Sequence, residues 1–391
     1  MKSKMLKCCV FIAVLAISVS CQKETVVSES TIPAASSNAR VATLVPTLPV
    51  TALNYAAIVL PAYLRSQQVE GRNNTPANNQ ITDNGATLGR VLFYDKNLSF
   101  NNTTSCASCH QQTNSFADPE RFSRGFNGDR TTRNSMALID ARYYQNGRFF
   151  WDERAASAEA QATQPIVHPV EMGMKMPALI TKLKALEYYP SLFQKAYGTT
   201  AIDSARIARS LAQFIRSIVS YRTKYDIGRA ALRANQNPNN TNFTNFTAQE
   251  NQGKQIYFNR GNCANCHGTE TFTAPGARNN GLDVVSTDNG VGAITGNRNQ
   301  NGLFKVPSLR GIEKSAPYMH DGRFATLEQV VEHYSSQVKA HPNLSAPLRG
   351  QNGQPRLLNL NPTEKAALVA FLKTLTDTGI ETDVKYSDPF K

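Results

Sequence analysis

Two runs of the form Cys-x-x-Cys-His constrain this 391-residue chain more than any other feature: Cys106-Ala-Ser-Cys109-His110 and Cys263-Ala-Asn-Cys266-His267. Two thiols at that spacing can bond the vinyl groups of a haem, and the adjacent imidazole then falls beneath the iron as proximal ligand. One copy alone could be half of a zinc site or a redox dithiol. The second copy tips the balance, because beyond Cys21 the chain has no other cysteine and no histidine pair at zinc-finger spacing. The reading is two covalently bound c-type haems. The length suits two domains, each large enough for its own core. The two motif histidines stand 157 residues apart, which makes this a duplicated architecture and not a short-period repeat.

The remaining cysteines belong to the N-terminus. Lys2, Lys4 and Lys7 precede an apolar stretch from Cys8 to Val19 and then Ser20-Cys21. A basic start, a short apolar core and small residues before the cut describe a signal peptide over residues 1–20, too short to remain as a membrane anchor. Cys21 after small residues resembles a bacterial lipoprotein signal, although Ser18 stands where that signal usually has Leu. The expectation is an exported protein of the periplasm or cell envelope, held to the membrane only by a lipid on Cys21. Residues 21–50, rich in Ser, Thr, Ala and Pro, read as a flexible tether. The formal charge of +13 comes from scattered lysines and arginines, and that scatter with this compartment excludes nucleic acid as a partner. A basic surface suits an acidic electron donor.

Apolar residues at Ile207, Leu211, Phe214, Ile215 and Ile218 predict an amphipathic helix over 203–222, with Asp203 near its start. The Asn-rich stretch Asn235–Asn245, with Pro238 and no period, marks a domain boundary, giving domains 51–235 and 236–391. Thr247-Ala-Gln-Glu250 is a capping box for the helix leading into the second motif. Asn361-Pro362-Thr363-Glu364 begins the last helix, with Leu368, Phe371, Leu372 and Leu375 on one face. Strand signals are few. The fold class is mainly α: two cytochrome-c-like helical domains, each around one covalent c-type haem.

A proximal histidine does not separate an electron carrier from an enzyme; the far side of each iron does. From about Leu88 to Asp377 the chain resembles the bacterial di-haem cytochrome c peroxidase / MauG family. The matching stretches are Leu88-Gly-Arg-Val-Leu-Phe-Tyr-Asp95, Ser105-Cys-Ala-Ser-Cys-His110, Arg133-Asn-Ser135, Phe150-Trp-Asp-Glu-Arg154, Pro165-Ile-Val-His-Pro-Val-Glu-Met-Gly173, Phe304-Lys-Val-Pro-Ser-Leu-Arg310 and Ala316-Pro-Tyr-Met-His-Asp-Gly322.

The resemblance implies that the N-terminal haem is the peroxidatic one, with Glu171 over its iron as the proton-moving carboxylate. It makes Gln161 a polar residue of the same distal pocket and Trp151, the chain's only tryptophan, a relay between the haems. It implies a calcium ion held by the Asn134 side chain and the carbonyls of Ser315 and Pro317, hard oxygen donors that suit that ion. Lys305 and Arg310 become candidates beside haem propionates, with surface roles equally open. His168 and His341 are left as structural.

Two departures from the family pattern carry weight. Many members have a His in a Ser-x-Gly-His segment that ligates the resting peroxidatic iron. This chain has Ser123-Arg124-Gly125-Phe126, and phenylalanine cannot bind iron. The first haem is therefore expected to stay open on its distal side. Where peroxidases place a ligating Met, fourteen residues after His320, this chain has Tyr334, as in the MauG branch. A phenolate favours ferric iron and lowers the potential, whereas a thioether favours ferrous. His333 and Met319 are rival ligands nearby.

The sequence reading is thus a di-haem c-type peroxidase that reduces hydrogen peroxide, drawing on a small redox protein or other donor, with a homodimer allowed by the resemblance. The alternatives are a MauG-like oxidase acting on a protein side chain, and a di-haem electron-transfer cytochrome without substrate chemistry.

Overall fold

The computed structural model describes residues 44–391 apart from Thr269, and these form one compact unit. The signal peptide, Cys21 and most of the tether lie outside the described residues. No helix among the described residues is long and apolar enough to cross a membrane.

The architecture is mainly helical, with long loops. The principal helices are α1 (Asp83–Tyr94), α2 (Met176–Lys184), α3 (Tyr188–Tyr197), α4 (Ser204–Ser217), α5 (Lys224–Ala230), α6 (Ala248–Gln255), α7 (Leu327–Glu332) and α8 (Pro362–Lys373). The only sheet among the described residues is a two-residue antiparallel pair, β1 (Ala277–Arg278) with β2 (Phe304–Lys305). The capping signals act as the sequence predicts. Asp203 accepts from the Arg206 N–H at 2.8 Å. The Thr247 hydroxyl accepts from the Glu250 N–H at 3.1 Å, while the Glu250 carboxylate accepts from the Thr247 N–H at 2.7 Å. Asn361 caps α8 in the same reciprocal way with Glu364. Two boundaries differ. The helix expected over 203–222 ends at Ser217, because residues 218–223 leave the helix to carry buried polar contacts. α8 is not the last helix, since a short one follows at Thr378–Thr382.

Two large hydrophobic cores result, with two smaller clusters among the described residues. The first gathers buried residues between Tyr55 and Ile218, and the second those between Tyr225 and Leu375. Each is built on the same joint. A β-carbon on Gly89 of α1 would lie 2.0 Å from the Ser210 carbonyl oxygen of α4 and 2.8 Å from Phe214 Cβ. One on Gly253 of α6 would lie 1.9 Å from the Ala367 carbonyl oxygen of α8 and 2.8 Å from Phe371 Cβ. Glycine inside a helix costs about 1 kcal/mol against alanine, and here it lets the two backbones touch. The repeated offset shows the duplication at the level of packing: helix, motif, returning helix.

The C-terminal tail crosses back. Ile380 and Tyr386 complete the first core. Tyr386 donates to the Ser217 carbonyl at 2.8 Å, and Tyr94 and Tyr55 donate to the carbonyls of Tyr386 and Lys385, both at 2.6 Å. Gln112 donates to the carbonyls of Ile380 and Asp383 at 2.8 and 3.0 Å. Of the expected tether, residues 44–50 are described; there the Thr47 N–H donates to the Pro389 carbonyl at 2.7 Å and Leu48 packs against the first core.

Between the cores lies a buried ionic cluster. Arg310, 1% exposed, makes a two-pronged pair with Asp226 at 2.8 and 2.9 Å and stands 3.5 Å from Asp140. Arg310 holds Asp226 below the usual carboxylate range, against its burial. Asp140 accepts from the Ser220 N–H at 3.0 Å through one oxygen, and the other has no hydrogen-bond partner. Burial outweighs Arg310 there and raises the Asp140 carboxyl to about 7. A raised carboxyl stabilises the fold fully below its unfolded value near 4, and that contribution is lost as pH rises through 7. Asp140→Asn is therefore expected to flatten the fall in stability between pH 4 and 8, with a gain of up to about 4 kcal/mol at the alkaline end. Denaturant titrations across that range check it; parallel curves for the two proteins would refute it.

Candidate functional site

Each Cys-x-x-Cys-His run opens a chamber. Cys106 and Cys109 flank a one-turn helix, closed by a reciprocal cap between Ser105 and Ser108. The loop that follows turns through left-handed Ser115 and Phe116 (φ 57° and 58°), which brings the Phe116 carbonyl back to His110 Nδ1 at 2.9 Å. In the second run, His267 Nδ1 meets the Pro307 carbonyl at 3.1 Å, with Phe272 (φ 50°) turning nearby. In both, the carbonyl accepts from Nδ1–H, which leaves the Nε2 lone pair for a metal. Burial depresses both imidazoles, His267 to about 4, so they stay neutral as iron ligands require. Four cysteines are free among the described residues, two in each chamber wall. Thiol pair, neutral imidazole and apolar walls fit one covalent haem c per chamber.

The first chamber is a cavity of about 280 Å³ continued by one of about 60 Å³; both are lined by His110, Gln161 and Glu171, and the smaller reaches Cys106 and Cys109. Glu171 rides on a loop pressed against residues 123–126. A β-carbon on Gly125 would lie 1.5 Å from the Val170 carbonyl oxygen, and the Phe126 N–H donates to the Glu171 carbonyl at 2.9 Å. Desolvation raises the Glu171 carboxyl, opposed by His168 and Arg154. His168 Nδ1 lies 3.5 Å from a Glu171 oxygen, and at 46% side-chain exposure it connects that carboxylate to solvent. His168, set aside in the sequence, thus lines the chamber. His341 does not; it bonds Ser286 and the Asn343 N–H. The Phe126 ring packs edge-on to Phe100 and lines neither part of the chamber.

The second chamber, about 220 Å³, is lined by Cys263, Cys266, His267, Tyr334, Met319 and His320 among others. Tyr334 sits on a π-helical turn, His333–Gln337, that continues α7. Its hydroxyl accepts from Asn280 Nδ2 at 3.4 Å, and burial raises the phenol to about 12. His333, the rival ligand, turns away and places Nε2 3.0 Å from the Asn280 carbonyl. His320 stacks face to face on Phe304 at 3.7 Å.

Trp151 lines both chambers. Its indole N–H donates to the Asn134 carbonyl at 2.8 Å, and its own carbonyl accepts from the Lys305 N–H at 2.8 Å. Asp152, paired with Arg133 and Arg154, fixes the turn that carries it. Neither Lys305 nor Arg310 has a surface role, since both are buried. Lys305 lies in the shared wall with its ammonium 4.2 Å above Tyr144 and 4.6 Å above Phe149; burial lowers it to about 8. Arg310 is consumed by Asp226. Asn134, Ser315 and Pro317 all line the second chamber. Asn134 Nδ2 donates to the Glu120 and Arg121 carbonyls at 3.1 and 3.3 Å, which leaves Oδ1 as its acceptor.

Residues 83–233 match the family model of di-haem cytochrome c peroxidase, and residues 250–376 match that of cytochrome c. The chain is 33% identical over 306 residues to the methylamine utilization protein MauG of Methylorubrum extorquens, covering 77% of this chain and 80% of that one. It is 30% identical over 296 residues to the cytochrome c551 peroxidase of Nitrosomonas europaea, covering 74% and 79%. A solved MauG-like protein associated with microbial copper homeostasis superposes with a TM-score of 0.71 at 30% identity, over 82% of this chain and 97% of that one.

Proposed function

The chain belongs to the di-haem cytochrome c peroxidase family that includes MauG, and from that footing we propose that it is a di-haem peroxidase reducing hydrogen peroxide to water. Cys106, Cys109 and His110 would hold a haem c whose iron would bind peroxide, and Cys263, Cys266 and His267 would hold a second that would supply electrons. The observation that carries the reading is that Glu171 and Gln161 share the His110 chamber, whose wall at Trp151 is also the wall of the second. Glu171 takes the proton from one peroxide oxygen and delivers it to the other, so that water can leave. Its raised carboxyl suits both steps. Gln161 orients the peroxide, and half-exposed His168 lies beside the carboxylate at the way to solvent. Two electrons and two further protons complete the balance to two waters. Trp151 shortens the passage between the chambers.

The test is the ferric EPR spectrum of the isolated di-haem protein before and after one equivalent of hydrogen peroxide. One high-spin and one low-spin signal, with reaction before any reduction, is the expected result. Two low-spin signals without reaction would favour the electron-transfer cytochrome instead. Phe126 outside the chamber and Tyr334 inside the other favour a second reading, in which the reductant is a protein side chain, as in a MauG-like oxidase. Sluggish reduction by small redox proteins would support that reading.

Tyr334 on this proposal would ligate the second iron. Tyr334→Phe is expected to change that haem's ferric spectrum and shift its ferric–ferrous ratio at least tenfold toward ferrous, about 59 mV for one electron. An unchanged spectrum and potential would remove Tyr334 from the site. The calcium proposal rests on three oxygens, Asn134 Oδ1 and the Ser315 and Pro317 carbonyls, that accept no hydrogen bond among the described residues. Because Asn134 also holds the Trp151 indole, chelation is expected to slow inter-haem electron transfer about tenfold or more while haem content stays constant. Stopped-flow rates before and after readdition of calcium check this; rates indifferent to both treatments would refute it.

A further inference from the structure

Asn280 stands between two atoms that could each bind the second iron. Its Nδ2 donates to Met319 Sδ at 3.3 Å and to Tyr334 Oη at 3.4 Å, one N–H available for each. Both acceptors belong to residues that line the chamber of Cys263, Cys266 and His267. The sequence offered Met319 as a conceivable ligand without support; the structure brings its sulfur into the chamber and gives it a donor.

We infer that Asn280 is a positioning residue that selects the axial ligand of the second haem, holding the Met319 thioether in reserve and leaving the Tyr334 oxygen to bind. The inference rests on the reading of Tyr334 as that ligand. An N–H on the thioether occupies a sulfur lone pair and tethers the side chain. An N–H on the phenol oxygen holds that side chain in the chamber wall and leaves the oxygen further lone pairs for an iron. One amide therefore fixes both candidate ligands, and the thioether is the weaker of the two acceptors. The choice matters because an anionic oxygen favours ferric iron and a thioether favours ferrous.

Two further features fit a selector. Met319 adopts φ +76°, a left-handed conformation that strains an ordinary side chain. Its neighbours hold it there: the Tyr318 N–H donates to the Phe324 carbonyl at 2.7 Å, and the Gly322 N–H to the Met319 carbonyl at 3.2 Å. Strain of this kind persists where surrounding structure fixes it, commonly beside a ligand. The Asn280 backbone, in turn, is fixed independently of its amide. Its carbonyl meets His333 Nε2 at 3.0 Å, the Ser345 N–H donates to the Asn279 carbonyl at 3.0 Å, and the Lys339 N–H donates to the Gly281 carbonyl at 2.8 Å. The amide can be changed without releasing the segment.

The experiment uses the purified holoprotein with both haems. Asn280→Asp keeps the shape and loses the donors; Asn280→Leu is a second route in case one fails to fold. Each is made with and without Met319→Leu, beside Tyr334→Phe. The readouts are the ferric thioether charge-transfer band and a potentiometric titration of the second haem. Both Asn280 variants are expected to gain the band and shift the ferric–ferrous ratio at least tenfold toward ferrous, and Met319→Leu to abolish both changes. Asn280 variants that keep the wild-type spectrum overturn the selector, as does a shift that survives Met319→Leu, which would point to His320 or solvent. If Tyr334→Phe itself leaves the second haem unchanged, the axial reading falls and the selector with it; a changed Tyr334→Phe with silent Asn280 variants overturns the selector alone.

Discussion

Glu171→Gln is expected to lower kcat/KM for hydrogen peroxide by about 10²–10⁴-fold, the usual weight of a positioned acid–base group. The amide matches the carboxylate in size, so the loop pinned by Gly125 and the Phe126–Glu171 backbone bond should keep its place. What is lost is the ability to take up a proton and release it. The ferric spectrum of the first haem, and haem content, should stay as in the wild type, which separates a chemical loss from a collapsed chamber. Turnover should also lose the pH dependence that a raised carboxyl imposes. Full turnover by Glu171→Gln would end the assignment.

The second large effect is on stability. Arg310→Leu leaves Asp226 buried with its main cation gone and Asp140 without the only positive charge that restrains it. The carbonyl of Glu270 also loses donors at 2.6 and 2.9 Å. Breaking a buried pair from one side typically costs about 3–5 kcal/mol, because the remaining charge is desolvated without compensation. A denaturant titration is the measurement. A cost below about 1 kcal/mol would mean that the cluster rearranges or admits water. The double change Arg310→Met with Asp226→Leu is expected to recover most of the loss, since apolar replacements of a buried pair are often neutral.

Legibility in the sequence followed the range of the interactions. Local signals carried through: the caps at Asp203, Thr247 and Asn361, the apolar faces of α4 and α8, and both haem motifs, whose five residues contain their own geometry. Glu171, Gln161 and Trp151 were reached only through resemblance, since no spacing rule brings residues 110, 151 and 171 to one chamber. What stayed hidden were backbone partners and distant side chains. The Pro307 carbonyl that orients His267 lies 40 residues away, and Asn280 lies 54 from Tyr334. Carbonyls leave no mark in a residue alphabet. The Asn-rich stretch has contacts that composition does not announce: the buried Lys254 ammonium binds the carbonyls of Pro238 and Asn239, and Phe243 and Phe246 are core.

The returning tail has a consequence in time. A ribosome delivers residues 55–218 long before Ile380 and Tyr386, and the first core lacks both until the end of the chain arrives. The second core, complete at Leu375, needs nothing from the last dozen residues. The half that comes first in the chain is thus the half completed last, when Tyr386 reaches the Ser217 carbonyl.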